Sequence, residues 1–380
     1  MKKRTDLLTY IAVILLTIVF IVVGNRITEF TPTQQYDEGY YSAKIEQIDD
    51  VVDESYTIEG LEDQIEVTIV EFSAKILEGE RKGEIVSVTQ RLDELMLTKQ
   101  DPVQPNDKIM IYEQAQLGGE LAFVFTDYLR TDNLALLVIA FLALIIIFGK
   151  TKGVNTVISL VATCLILFAV FIPGILKGYN VYLLTTIVST YIIFMNLILI
   201  NGLSKKTWCA IIGNLGGLIA AGVITLFMTD QLMLTGFVDS DSGILVNVNP
   251  GAPLDLVAIA WSSVLIGSLG AIMDIAMTIS SALQEVYENS QERNFKQLFE
   301  SGMNIGRDAV GTMTNTLILA YIGSSLTTVL LLVSSNKNLM SLFNLEMITL
   351  EVLQGVVGSI GILLAIPLTS AISAYLYSKE

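Results

Sequence analysis

The sequence predicts a polytopic α-helical membrane protein of about eight spans, with a small β-barrel-like domain outside the membrane. Three observations predict it. Apolar residues make up 52% and charged residues 16%, with a mean hydropathy of +0.62, whereas a soluble fold usually carries about 25% charged residues. Eight apolar runs approach the roughly 20 residues that a spanning helix needs. Between the first and second run, from Asn25 to Arg130, stand 9 basic and 23 acidic residues, so most of the net charge of −16 sits there. The 380 residues thus divide into a signal-anchor helix (1–24), a β-rich extracytoplasmic domain (25–130) and a seven-helix membrane domain (131–380).

The first run is Leu7–Val23, after a basic Met-Lys-Lys-Arg start. A cleaved signal peptide opens the same way, but Gly24-Asn25-Arg26-Ile27 gives no small-x-small cleavage pattern, so an uncleaved anchor is expected. The other runs are Leu134–Phe148, Val154–Ile175, Val181–Ile200, Trp208–Met228, Leu256–Leu283, Ala309–Val333 and Val352–Tyr375. Basic residues orient them by the positive-inside rule. Lys2, Lys3, Arg4, Lys150, Lys152, Lys205, Lys206, Arg293, Lys296, Arg307 and Lys379 fall on one side, and only Lys177 and Lys337 in the short loops on the other. Both termini are then cytoplasmic, with the lipid bilayer as the surrounding partner.

The intervening domain changes period. Ile65, Val67 and Ile69 alternate with polar neighbours, and the alternation then slips to Val70, Phe72, Ala74 and Ile76. Alternation marks a half-buried strand, and a one-residue slip suggests a bulge. Glu78–Gly83 reads as a hairpin loop leading into Ile85–Thr89, with Val86 and Val88 on one face. Pro105-Asn106-Asp107 turns the chain into Lys108–Tyr112, and Leu121, Phe123 and Phe125 alternate again. Five short strands in about 100 residues predict a closed barrel, OB-like or SH3-like. The acidic balance argues against nucleic acid and anionic lipid. An envelope protein held by residues 33–130 is the partner that such a domain suits.

Charge within a span is costly and marks function by default. In the sixth run Ser263, Gly267, Gly270, Asp274, Thr278, Ser281 and Glu285 follow three- and four-residue steps, which puts them on one helix face. In the seventh, Asn304, Asp308, Gly311, Thr312 and Asn315 share a face, with Arg307 beside Asp308. The two runs are antiparallel, joined by the polar segment Gln284–Ser301, so Arg307 is placed to balance Asp274 or Asp308. Two readings fit. One is a proton- or cation-handling site with Asp274 as the titrating or coordinating group and Asp308, Arg307, Asn304, Asn315, Thr278 and Thr312 around it. The other is a polar network stapling two helices. Gly267, Gly270 and Gly311, with Gly213 and Gly217 in the fifth run and Gly355 and Gly358 in the eighth, let helices approach closely. Pro367 is placed to kink the last run.

Other chemistry is excluded or unsupported. The chain has no histidine, which removes the commonest general base and zinc ligand. Cys164 and Cys209 lie far apart inside apolar runs, so neither a disulfide framework nor a cysteine metal site is expected. Asp239-Ser240-Asp241-Ser242-Gly243 opens like a calcium loop, but Pro250 stands where the bidentate glutamate belongs. Gly149-Lys150-Thr151-Lys152-Gly153 lacks the spacing of a phosphate loop. No metal and no cofactor are expected, and nothing points to an enzyme.

Gly270 to Ile279, Ser301 to Asp308, Gly311-Thr312-Met313 and Asn315 to Tyr321 resemble the YibE/F-like family of bacterial multi-span proteins. Gly79 to Gly83 and Asp127-Tyr128-Leu129-Arg130 are similar to its extracytoplasmic segments. The resemblance implies one span, an outer domain and seven further spans, usually in bacteria of the Gram-positive kind; it implies no particular activity. More weakly, the paired polar spans resemble the inner helices of proton-driven export machines such as SecD and SecF. Two functions are therefore expected: a secondary transporter or proton-coupled exporter using the polar spans, or a non-catalytic envelope assembly factor or receptor acting through its outer domain.

Overall fold

The structure is a computed structural model that describes residues 2–29, 39–57, 64–93, 101–115, 121–238, 240–248, 253–289, 294–334 and 338–379. Arg293, Lys337, Asp239 and Pro250, singled out in the sequence, lie outside the described residues. The chain forms two compact units, one of Met1–Phe30 with Ile145–Glu380 and one of Thr31–Leu144. The first turns of the helix after the barrel thus group with the barrel.

The smaller unit is a closed five-stranded barrel of β1 (Tyr40–Thr57), β2 (Gln64–Ile76), β3 (Ile85–Asp93), β4 (Lys108–Ala115) and β5 (Leu121–Tyr128), in the order β1-β2-β3-β5-β4. The neighbours pair antiparallel except β3 and β5, which run parallel through Val88–Phe123 and Thr89–Val124. This Greek-key order is that of the OB fold. Alternate residues fill it: Val70, Phe72, Ala74 and Ile76 face Val86, Val88, Ile109, Ile111, Phe123 and Phe125. The expected bulge in β2 is corrected. β2 pairs with β3 in unbroken register, and the irregularities lie across from it in β1, between Ile45 and Gln47 and between Ile48 and Asp50. Val67 is buried but stands apart from the barrel core, so the slip in the pattern is a change of buried face, not an inserted residue.

The β2–β3 loop turns at Gly79 (φ 84°) and Gly83 (φ 90°), a left-handed backbone that favours glycine. Its Arg81 guanidinium spans the barrel end. It donates to Glu84 from Nε (2.7 Å) and to Glu113 on β4 from Nη1 (2.6 Å), and lies 5.0 Å from the Phe123 ring centre on β5. Arg81 holds the Glu84 carboxyl below the usual range, chiefly by that hydrogen bond. Arg130 does the same for Asp127. A carboxyl depressed in the folded state stabilises it above the unfolded pKa, and that contribution is lost as pH falls through the folded value. The barrel should therefore loosen below about pH 5. Arg81→Met keeps the stem, removes the charge and should flatten that acid dependence at the hairpin. Hydrogen exchange of the residue 76–85 amides between pH 7 and 3, corrected for intrinsic rates, measures it. An unchanged acid profile would show that the pair contributes nothing.

The larger unit is helical. It begins with α1 (Lys2–Thr28), and its next helix is α2 (Thr131–Ile166), which starts in the smaller unit. A π-helical stretch, Leu167–Phe171, joins α2 to the short α3 (Ile172–Leu176). Then come α4 (Val181–Asn201), α5 (Lys205–Gln231), α6 (Ser240–Val248), α7 (Leu256–Asn289), α8 (Phe295–Ser324), α9 (Leu326–Ser334), α10 (Leu339–Phe343) and α11 (Glu346–Ser378). Six stretches among the described residues are long and apolar enough to cross a membrane: Leu8–Thr28, Thr131–Leu176, Val181–Asn201, Lys205–Gln231, Leu256–Asn289 and Glu346–Ser378.

Side-chain caps start several helices: Asn180, Ser204 and Asn294 accept from the backbone N–H three residues on. Thr131–Leu176 holds both of the runs expected as Leu134–Phe148 and Val154–Ile175. Its helix breaks at Lys150 (φ 51°, ψ −127°). Ile145 and Gly153 touch by backbone there, although eight residues of straight helix span about 12 Å, so the chain bends sharply and only glycine fits at 153. The run expected as Ala309–Val333 is also corrected. The helix starts earlier, at Phe295, and stops at Ser324. Ser324 Oγ (2.8 Å) and Ser325 Oγ (3.1 Å) both donate to the Tyr321 carbonyl, a local bond that competes with continuing the helix. α11 runs through Pro367 without interruption.

α11 lies against α5, α7 and α8. The closest approach is made of small residues. A Cβ on Gly217 would stand 2.8 Å from Ile272, 2.9 Å from the Gly361 carbonyl oxygen and 3.1 Å from Ala365. α1 packs on the same unit: Phe20 stacks on Tyr191 of α4 with ring centres 4.1 Å apart, and Thr17 hydrogen-bonds the Tyr191 hydroxyl at 3.0 Å.

Candidate functional site

α7 buries one face and exposes the other. Ile272, Ile275, Ile279 and Leu283 are fully buried against α5, α8 and α11. The three- and four-step residues Ser263, Gly267, Gly270, Asp274, Thr278 and Glu285 are exposed, with Ser281 half-buried. The same holds on α8. Gly302 and Gly306 are buried, with Ser370 and Ile366 of α11 packed over them, while Asn304, Arg307, Asp308, Gly311, Thr312 and Asn315 are exposed. The polar face of each helix is therefore the open one.

Two contacts set the antiparallel register of these helices. Leu283 lies over Gly302, and the Tyr321 hydroxyl lies over Gly267. Asp274 is then about level with Thr312. Along the strip of α7, Ser263 Oγ accepts from Gln354 Nε2 of α11 at 2.8 Å. Gly267 is covered by Tyr321, and beyond it the strip is bare. A Cβ on Gly270 or on Gly311 would meet nothing within 4 Å.

Asp274 stands on this bare stretch, and no hydrogen bond or ion pair reaches it among the described residues. The same is true of Asp308. Arg307 Nη1 donates to Asn304 Oδ1 at 3.1 Å, one turn away on its own helix, and not to either aspartate. The expected arginine–aspartate pair is corrected accordingly: residues 304 and 307 are neighbours on one helix face, and the guanidinium takes the nearer oxygen. Thr312 spends its hydroxyl on the Ala309 carbonyl (2.9 Å).

Of the seven glycines read as packing positions, five meet another helix. Gly213 is packed against Thr369, Gly217 against Ile272 and Gly361, Gly358 against Leu317 (2.8 Å from an added Cβ) and Ser268, and Gly355 against Tyr321 and Ile318. Gly267 meets Tyr321. Among the described residues, nothing packs within 4 Å of a Cβ at Gly270 or Gly311.

A match to the YibE/F-like protein family model covers residues 137–379. The chain belongs to the YibE/F-like family. With its long apolar helices, it is a membrane protein. The match takes in both polar strips and begins after the barrel strands. No curated protein and no solved structure matches the chain.

A second polar region, inside the bundle, escaped the sequence reading. Among the described residues, Asn214 of α5 is fully buried with neither side-chain atom hydrogen-bonded, and Thr369 and Ser370 of α11 are buried with hydroxyls that meet no partner. Cys209 sits within reach of Ser373 and Ser280. The signal for it was the four-residue spacing of Thr369, Ser373 and Tyr377, easily taken for small packing residues. No group of histidine, cysteine, aspartate or glutamate fit to hold a metal occurs among the described residues.

Proposed function

We propose that this chain is a secondary transporter or proton-coupled exporter of a bacterial plasma membrane, with Asp274 as its titrating or coordinating group. One observation carries the reading. A carboxylate without a partner stands at mid-length of a 34-residue apolar helix, between a glycine that nothing covers and a threonine. An aspartate at the centre of a spanning helix costs about 2.5–3.5 kcal/mol, and such residues face water-filled cavities or partners. An aqueous or solute-filled path along the strips of α7 and α8 removes that cost and gives the bare glycines a use.

The layout that supports this path has eight crossings. The stretch Thr131–Leu176 supplies two arms that meet at Lys150, and α8 supplies the polar crossing beside α7. Lys150, Lys152, Lys205, Lys206, Lys296, Arg307 and Lys379 then lie toward the cytoplasm with both termini, and the barrel lies outside.

The test is proton and cation flux into proteoliposomes. Asp274→Asn removes the titrating group at constant size and should lower flux by about ten-fold or more, at unchanged expression and elution profile. Asp308→Asn, nearer the helix end, should cost less. No flux above empty liposomes with the wild-type protein, across several ions and both gradient directions, would overturn the reading.

A second reading, a non-catalytic assembly factor or receptor, is favoured by the barrel. Its β1–β2 ribbon exposes Val51 and Val52 beside Asp49, Asp50, Asp53 and Glu54. Exposed apolar residues rimmed by charge suit a protein partner. Photo-crosslinkers at Val51 and Val52 should then capture one defined envelope protein.

A further inference from the structure

Four helices meet at one edge of the helical unit around a cleft of about 410 Å³. Tyr10 of α1, Lys152 and Asn155 of α2, Asn201 of α4 and Lys206 of α5 line it. The wall mixes polar with apolar surface, and it holds two lysines and no carboxylate. Asn155, Asn201 and Lys206 are half-buried, and Lys152 is exposed. Among the described residues no ion pair reaches either lysine. The Tyr10 hydroxyl lies over Gly202, 3.7 Å from where a Cβ would stand, so α1 reaches the turn between α4 and α5. The second arm of α2 restarts after the break at Lys150, and α5 starts at Lys205. Helix N-termini attract anions. α4 ends there with the opposite polarity, and the two lysines tip the balance to positive.

An apolar groove of about 280 Å³ continues from this cleft between α1 and the second arm of α2. Ile14, Ile18 and Ile21 line one side of it, and Ile158, Val161 and Leu165 the other. Ile14 is one turn on from Tyr10 and Ile158 one turn on from Asn155, so cleft and groove share the same helix faces. From Tyr10 to Ile21 is about 16 Å of helix. Beyond the groove α1 closes on the chain that follows α2: a Cβ on Gly24 would stand 2.8 Å from Val170. Ile18, Val161 and Leu165 are exposed, so the groove opens sideways. The occupant that fits is an anion at one end and hydrocarbon at the other. Basic pockets between spanning helices hold anionic lipid headgroups. A small anion would leave the groove unused, and a zwitterionic lipid would bring a third cation to the two lysines. The acidic balance that argues against anionic lipid belongs to the barrel, and the helical unit carries this basic cleft.

We propose that cleft and groove together bind one anionic phospholipid, with its phosphodiester on Lys152 and Lys206, its headgroup beside Asn155 and Asn201 and an acyl chain along Ile18, Ile158 and Val161. In the orientation proposed above, the lipid comes from the cytoplasmic leaflet. The site goes beyond the transport reading and shares no residue with the Asp274 path, so binding and flux report on the two separately.

Native mass spectrometry of the full chain, titrated with dioleoylphosphatidylglycerol or dioleoylphosphatidylcholine, tests it. The two lipids have the same chains and differ in net charge. The anionic lipid should bind about ten-fold more tightly. Lys152→Gln combined with Lys206→Gln should erase that preference and leave the weaker binding that the chains provide. Should the double variant fail to fold, Lys152→Gln alone, at an exposed position, should still reduce the preference. Val161→Trp fills the groove from its exposed rim and should weaken both lipids. Inorganic phosphate and glycerol phosphate carry the charge without the chains and should not displace the lipid. Equal binding of the two lipids, a preference unchanged in every lysine variant that folds, full binding in Val161→Trp, or displacement by either small anion would overturn the proposal.

Discussion

Replacing Gly217 with leucine is expected to stop the helical unit from assembling. Gly217 sits where α5, α7 and α11 meet. Its absent Cβ would lie 2.8 Å from Ile272 Cγ2 and 2.9 Å from the Gly361 carbonyl oxygen. The first neighbour is a side chain that is itself fully buried, and the second is backbone. Neither can step aside. Ile272 in turn lies over Gly361, 2.7 Å from where its Cβ would be, so a shift of Ile272 away from residue 217 drives it into α11. Overpacking in a well-filled core costs about 1–3 kcal/mol, occasionally more, and this site combines a rigid obstacle with three helices. The expected loss lies at or above the top of that range. A fluorescent C-terminal fusion followed by size exclusion would show little monodisperse protein. Monodisperse yield equal to wild type would mean that the three helices separate more readily than their contacts imply.

The same contacts explain how much could be read from the residues alone. The apolar runs define the helices because a span needs length and little else, and alternation defines the strands because a barrel has one inner face. Neither pattern names a neighbour. Alternation at Val86–Val88 and at Phe123–Phe125 marks both as inward-facing but does not say that β3 and β5 lie side by side and parallel. Nor could the slip after Ile69 say which strand carries the extra residues. They are in β1, where the polar Glu46 and Asp49 leave no trace in an apolar pattern. The limit is sharper at the polar strips. Three- and four-residue spacing shows that Gly270, Asp274 and Thr278 share a face, and the structure agrees. Spacing cannot show whether that face is covered. The pairing of Arg307 with Asp274 required both faces to meet, and they are bare at that level. The seven glycines looked alike in sequence. What separates Gly217 from Gly270 is the presence of Ile272 and Gly361 near one and of nothing near the other.

Gly270→Leu and Gly311→Leu should therefore behave in the opposite way to Gly217→Leu. A Cβ at either position meets no atom within 4 Å, so no clash arises. A glycine inside a helix costs about 1 kcal/mol relative to a good helix former, so each variant should accumulate at least as well as wild type and unfold at an equal or higher temperature. A glycine kept at such a cost, with no neighbour to accommodate, needs another reason. Passage of a solute or water beside Asp274 is that reason in the transport reading. Gly270 stands one turn from Asp274, and Gly311 stands beside Thr312, about level with it, so a leucine at either would project into the same path from opposite walls. Flux should fall by about ten-fold or more in proteins that are otherwise sound, and the double variant should lose little beyond the single ones, because the two act on one path. Full flux in a stable Gly270→Leu protein would place the path elsewhere. The buried polar row of Asn214, Thr369 and Ser370 would then be the next route to test, since there too polar groups lie in the interior without partners among the described residues.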